Sequence, residues 1–251
     1  MKHRITTLLF ASLLAAGGNL LADRIPLEQG VTELEVSGSE RINFEFQNHQ
    51  ADIEIIGHEV NLVRVEVDNG GHEDFPSYLD WDAGKRSLRL DLGHSHGNSK
   101  VRIRLPYNSS VNLQTVDSDI KVTGIRGDAI IRQVNGDIQL DGAAGAILIE
   151  LVNGDTVVSP ITSESNEPIS IMSQNGNISL VAPKDFKGSA TVSTIGGKVT
   201  CDVPGAGTKE SSANRHVVNM GPMSRQTIPI NGGGRPITLN TVHGNIEVKI
   251  D

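Results

Sequence analysis

Val134-Asn135-Gly136-Asp137-Ile138 and Val152-Asn153-Gly154-Asp155-Thr156 are copies of one phrase. It recurs as Val116-Asp117-Ser118-Asp119-Ile120, Gln174-Asn175-Gly176-Asn177-Ile178, Ile195-Gly196-Gly197-Lys198-Val199 and Val242-His243-Gly244-Asn245-Ile246. Successive second residues lie 18, 18, 22, 21 and 47 positions apart. A near-constant period of this size is the signature of a repeat architecture.

Aligning the copies on that second residue extends the likeness well beyond the phrase. Six positions earlier stand Val111, Ala129, Ile147, Ile169, Ala190 and Ile237, and four positions earlier Leu113, Ile131, Ile149, Ile171, Val192 and Leu239. Three positions later come Ile120, Ile138, Thr156, Ile178, Val199 and Ile246; five later, Val122, Leu140, Val158, Leu180, Cys201 and Val248. Only Thr156 breaks the apolar rule. Apolar residues at every second position mark strands with one buried face, so each unit holds two short strands around a corner. Asn and Gly suit that corner because they tolerate positive φ. The same phrase could also close an antiparallel hairpin. A unit of about 18–22 residues favours one coil of a β-solenoid over a hairpin meander, with equivalent residues stacking about 4.8 Å apart. A degenerate earlier copy places Phe44, Phe46, Ile53 and Ile55 around Gln50-Ala51-Asp52.

The expected fold is therefore all-β, a single elongated solenoid domain over residues 23–251. Alternation also marks strands across residues 32–67 and 78–105, with Asp82-Ala83-Gly84-Lys85 as a turn. From 204 to 235 the pattern lapses into Gly, Pro, Ser and Asn. This stretch is predicted to be an irregular insertion that leaves the scaffold and carries recognition. The last strand, carrying Glu247 and Lys249, is predicted to form an open edge whose charge discourages end-to-end pairing.

Composition bounds the function. The chain has 251 residues, 27 of them Gly, only 3% aromatic residues and a formal charge of −8. Lys2 and Arg4 precede an apolar run from Ile5 to Ala16, so residues 1–22 read as a signal peptide cut after Ala22, or after Gly18. The run is too short for a membrane span, and no later stretch is long enough. Without residues 1–22 the balance is 20 basic against 30 acidic residues. Such a chain repels phosphate backbones and shows no basic run, which argues against nucleic acid. The expected location is periplasmic or secreted. Cys201 is the one cysteine, so it forms no intramolecular disulfide, and no lipid-anchoring Cys follows the apolar run.

The Asn-Gly-Asp-Ile copies, Asn135 to Ile138 and Asn175 to Ile178 among them, together with Phe44-Glu45-Phe46 leading into Ala51-Asp52-Ile53-Glu54-Ile55, resemble the putative-adhesin family of bacterial exported β-repeat domains. The resemblance covers roughly residues 30 to 251 and implies a stacked β-solenoid. The family name implies adhesion; the resemblance brings no catalytic residues and no ligand. The insertion at 204–235 departs from its regular repeat.

Several residues invite a sharper reading beside a plainer one. Asp119, Asp137 and Asp155, with Asn177 and Asn245, fall in one column that Lys198 interrupts. Stacked carboxylates suit calcium, while short polar side chains also cap their own turns. His94 and His96 could share one face for zinc or copper, or form a solvated turn. His243 reads as a turn residue. Phe75, Tyr78 and Trp81 could stack on sugars or form a packed cap. Cys201, in a core column, reads as a small buried hydrophobe rather than a nucleophile. Asn108-Ser109-Ser110 and Asn177-Ile178-Ser179 match a glycosylation sequon of low specificity. No catalytic, cofactor or metal site is assigned. Three classes of function remain: a binding, adhesion or envelope structural module, which is favoured, with an unknown envelope or extracellular partner; a β-helix enzyme acting on polysaccharide; and an end-to-end self-assembling scaffold.

Overall fold

The structure is a computed structural model describing residues 6–9, 23–27, 30–35, 41–68, 77–92, 99–161, 165–203, 216–218 and 224–250. Strands make up two sheets, one of eleven strands and one of twelve. Each repeat copy gives one strand to each sheet, before and after its corner. Thus Ile147–Asn153 lies in the eleven-stranded, leading sheet and Thr156–Pro160 in the twelve-stranded, trailing sheet.

Pairing between copies is parallel. In the leading sheet Val111 aligns with Ala129, Ile147, Ile169, Ile237 and Ala190 in turn. In the trailing sheet Ile120 aligns with Ile138, Thr156, Ile178, Ile246 and Val199. Parallel ladders between equivalent residues are what a solenoid has and a meander lacks. All four apolar columns are buried between the sheets. Val, Ile and Leu fill them because branched side chains pack well on a pleated surface buried on one side.

The coils do not stack in chain order. The copy made of Gly188–Thr194 and Val199–Asp202 is not the neighbour of Ile169–Asn175 and Ile178–Ala182. The last coil, Arg235–His243 and Ile246–Ile250, lies between them and pairs on both sides. At the other end the coil of Asn43–Gln50 and Asp52–His58 lies between Ser87–Asp91 with Lys100–Pro106 and Ser110–Asp117 with Ile120–Thr123. The final strand with Glu247 and Lys249 is therefore interior, contrary to the expectation of an open edge.

Antiparallel strands close both ends. Ser77–Asp82 and then Asp23–Leu27 cover the leading sheet, and Leu62–Asp68 and then Gly30–Glu35 cover the trailing one. Thr6–Leu9, inside the expected leader, pairs outside Gly30–Glu35. At the far end Ser224–Ile230 pairs with Gly188–Thr194, and His216–Val218 with Val199–Cys201. These two capping strands come from the segment expected to be irregular. Arg235 follows them, fully buried, donating to the carbonyls of Glu167 and Gly145 at 2.5 Å each. It ties the inserted coil to two corners on the side of the stack it enters.

Thr156 is buried at 1% exposure between Ile138 and Ile178, and its hydroxyl has no partner. A buried unpaired hydroxyl costs about 1–2 kcal/mol. Thr156→Val should accordingly raise stability by about that amount. The check is urea unfolding, with the midpoint moving up at unchanged slope.

Candidate functional site

Two polar ladders run along the corner. In the first, Asn175 Nδ2 donates to Asn153 Oδ1 at 2.9 Å, Asn153 to Asn135 at 2.8 Å, and Asn135 to Asp117 Oδ1 at 2.5 Å. Every amide points the same way and the file ends on a carboxylate, the best acceptor available. His243 aligns with Asn175 as the next residue of that column.

In the second ladder each side chain caps the corner above it. The backbone N–H of Asp119 donates to Asp52 Oδ1 at 3.2 Å, Asp137 to Asp119 at 3.0 Å, and Asp155 to Asp137 at 2.8 Å. Asn177, Asn245 and Lys198 continue the series with backbone donors at 2.7–2.9 Å. The order of coils explains Lys198: it ends the column rather than interrupting it. Each aspartate in this file thus serves as a backbone cap, and among the described residues no group of three or more His, Cys, Asp or Glu side chains is placed to hold a metal ion.

Between the ladders sits the glycine column. Gly154 has φ +134°, and a Cβ there would lie 2.1 Å from the carbonyl oxygen of Gly136 in the coil below. Close stacking of backbones, as much as the dihedral angle, demands glycine. These devices make the corner a stiff edge.

Beside that edge the leading sheet turns a weakly charged surface outward. Across the coils from 110 to 182 its outward residues include Asn112, Gln114 and Val116; Ile130, Arg132 and Val134; Leu148, Glu150 and Val152; and Ser170, Met172 and Gln174. Their charges are Arg132 and Glu150, paired to each other at 2.8 Å. Val134 and Met172 are each 39% exposed. A shallow groove of about 800 Å³ runs along the stack here. Its lining follows two outward columns, Gln47, Gln114, Arg132, Glu150 and Met172 in one and Val116, Val134, Val152 and Gln174 in the other, with Arg89 as a further cation. Across the same coils the trailing sheet turns Lys121, Gln139, Asp141, Val157, Ser159, Ser179 and Val181 outward, and ion pairs lie in the strands before them. Arg64 pairs with Glu33 and Glu66 at 3.4 and 3.0 Å, and Arg102 with Glu54 at 2.6 Å.

The valine that opens the recurring phrase was the available signal for this face. It stands one place after an inward residue, so it must face outward, and an apolar residue repeated at an outward position is unusual for a solvated strand. The remaining singled-out residues lie elsewhere. Trp81 is buried on the capping strand Ser77–Asp82, and the Arg24 guanidinium lies 3.8 Å from the centre of the Tyr78 ring. Phe75, His94 and His96 lie outside the described residues. Cys201 is buried, and burial pushes its thiol up to about 11, so no thiolate nucleophile is present at neutral pH. The Asn177 side chain of the second sequon is held within the corner ladder.

Comparison with known proteins joins these features to a family. A family model described as Toastrack DUF4097 matches residues 96–249, more than half of the chain. The chain belongs to the Toastrack DUF4097 family. The match begins before the coil of Lys100–Pro106 and takes in every corner from Asp117 to His243. A solved structure described as a putative cell adhesion protein from Clostridium sporogenes superimposes on this Toastrack chain with a TM-score of 0.53 at 10% identity. The alignment covers 92% of this chain and all of the other. At that identity the likeness is one of fold. No curated protein matches the chain. Among the described residues of this Toastrack protein no helix is long and apolar enough to cross a membrane.

Proposed function

We propose that this Toastrack chain is an exported, non-catalytic binding module that holds an envelope or extracellular protein against the outside of its leading sheet. The observation that carries the reading is the weakly charged, valine-lined groove beside a stiff corner. Charge depletion with exposed apolar side chains marks the centre of protein interfaces. A solved fold relative described as a putative cell adhesion protein supports the same direction. Glycoside hydrolysis needs two apposed carboxylates, whereas the groove is lined by one, Glu150, already paired with Arg132. The outermost strands of the leading sheet, Asp23–Leu27 and Ser224–Ile230, each carry a proline, Pro26 and Pro229, which weighs against end-to-end assembly.

Export rests on the basic and apolar N-terminal segment. Cleavage after Ala22 would remove the outermost strand, Thr6–Leu9, and leave the other described pairings in place. The expected product begins at Asp23 in a periplasmic or secreted fraction, as N-terminal sequencing would show. Recognition is tested by crosslinking capture from envelope extract with the wild type and Val134→Glu. The variant should keep its circular dichroism spectrum and lose most of the captured protein. Equal capture by both would remove the leading sheet from the reading, and depolymerisation of an envelope polysaccharide by the wild type would overturn the non-catalytic part.

A further inference from the structure

We infer that one partner of the leading sheet is a second copy of this chain, packed face to face about a two-fold axis. The inference rests on the proposal above that this sheet is the binding face, and it names an occupant. The argument is self-complementarity. Residues of the coils 129–143 and 147–160 align as Ile130 with Leu148, Arg132 with Glu150, and Asn135 with Asn153, which brings Val134 beside Val152. An axis lying in the interface along the strand direction, midway between these two strands, lays each residue of one pair over its counterpart in the other copy. Ile130 then meets Leu148 of the second copy, Val134 meets Val152, and Arg132 meets Glu150 twice over. In these two central coils apolar groups face apolar groups and each cation faces an anion. The flanking coils follow by the same register, with Asn112 over Ser170, Gln114 over Met172 and Val116 over Gln174, so complementarity is concentrated in the two central coils.

Charge is compatible with association through this face. The chain carries a formal charge of −8, so two copies repel each other generally. They can approach most easily where the surface is neutral, and this face holds one internally balanced ion pair across four coils. Size sets the strength. Four coils about 4.8 Å apart, with strands of seven residues at about 3.3 Å each, give a flat patch of roughly 440 Å². Stable specific interfaces bury about 800 Å² per partner, with weak and transient ones below about 600. Such an area fits a weak, reversible dimer.

Charge reversal tests the axis directly. Arg132 and Glu150 are about 43% and 42% exposed, so Arg132→Glu and Glu150→Arg should both fold, as circular dichroism will verify. In sedimentation at about 100 μM the wild type should run as a dimer. Each single variant alone should run as a monomer, because like charges then meet at both positions, with dimerisation weakened at least about tenfold. Mixed in equal amounts, the two variants should form a heterodimer. The Arg132→Glu chain carries an acid at both positions and the Glu150→Arg chain a base at both, so every facing pair is again of opposite sign. A wild type that stays monomeric, or a mixture no more associated than its components, overturns the second copy as occupant. The broader reading is judged separately. If self-association fails while Val134→Glu still loses a captured envelope protein, the face binds a different protein; if both fail, the face is not a binding surface.

Discussion

Gly154→Val is expected to lower the stability of the protein by about 2–6 kcal/mol, while Asp155→Asn changes it by less than about 0.5 kcal/mol. The two residues are adjacent in the same corner, so the contrast isolates what the corner requires. At φ +134° a β-branched residue is strained by about 1–3 kcal/mol. Its Cβ would also lie 2.1 Å from the Gly136 carbonyl oxygen, a backbone atom that cannot swing aside. The coil above has its own constraint, since Gly176 sits over the Gly154 carbonyl in the same way. Displacing one corner therefore disturbs two interfaces. Asp155, by contrast, is exposed; its Oδ1 accepts the Asn177 N–H at 2.7 Å, and the Asn177 side-chain amide donates at longer range to Oδ1 and Oδ2, 3.1 and 3.3 Å. Asparagine keeps that oxygen, and Asn177 and Asn245 already play the same part higher in the file. Denaturant midpoints of the two variants decide the matter; similar values would show that the corner does not need its glycine.

The buried columns and the corner phrase were legible in the sequence because a solenoid repeats the same local demand in every coil. Inward positions must be apolar, and the corner must be small or polar, whatever lies above or below. What stayed hidden depends on which coil is whose neighbour. The interval of 47 residues before His243 shows that something intervenes, but spacing cannot say that the returning coil slips in beneath the one before it. That one fact repositions Lys198 at the end of its file and makes the strand of Glu247 and Lys249 interior. It also places Arg235 fully inside, against the carbonyls of Gly145 and Glu167. The clash that demands glycine was half legible. Positive φ follows from the Asn-Gly pair, whereas the blocking carbonyl belongs to another coil. The binding face was present in the phrase itself, as the outward Val116, Val134 and Val152. Its meaning emerges only when three coils set those valines side by side.

Deleting residues 206–233 and bridging the gap with a short Gly-Ser linker is expected to destabilise the protein and make it aggregate. An insertion that merely left a finished scaffold could be removed at little cost, because long surface loops add little closure entropy. The described part of this one is not such a loop. Ser224–Ile230 pairs with all seven residues of Gly188–Thr194, and His216–Val218 covers Val199–Cys201. Ile228 and Ile230 are buried against the end of the core, each contributing about 1.5–3 kcal/mol. Asn231 Nδ2 donates to the carbonyls of Lys184 and Phe186, pinning the crossing from the capping strand to the inserted coil. Removing the segment takes away these contacts and leaves two parallel strands with bare N–H and C=O rows, a template for pairing between molecules. The route from Val203 to Arg235 itself can be bridged, since the link from Ala182 to Gly188 also joins a trailing strand to a leading one and passes over the inserted coil to do so. Loss of the cap, not chain strain, is thus the expected cause. Ile230→Ala in the otherwise intact protein attacks the same packing and should cost about 2–5 kcal/mol. Thermal unfolding followed with light scattering reads both variants. A deletion protein that unfolds at the wild-type temperature and stays monodisperse would show that the two strands are dispensable, and that the stack closes without them.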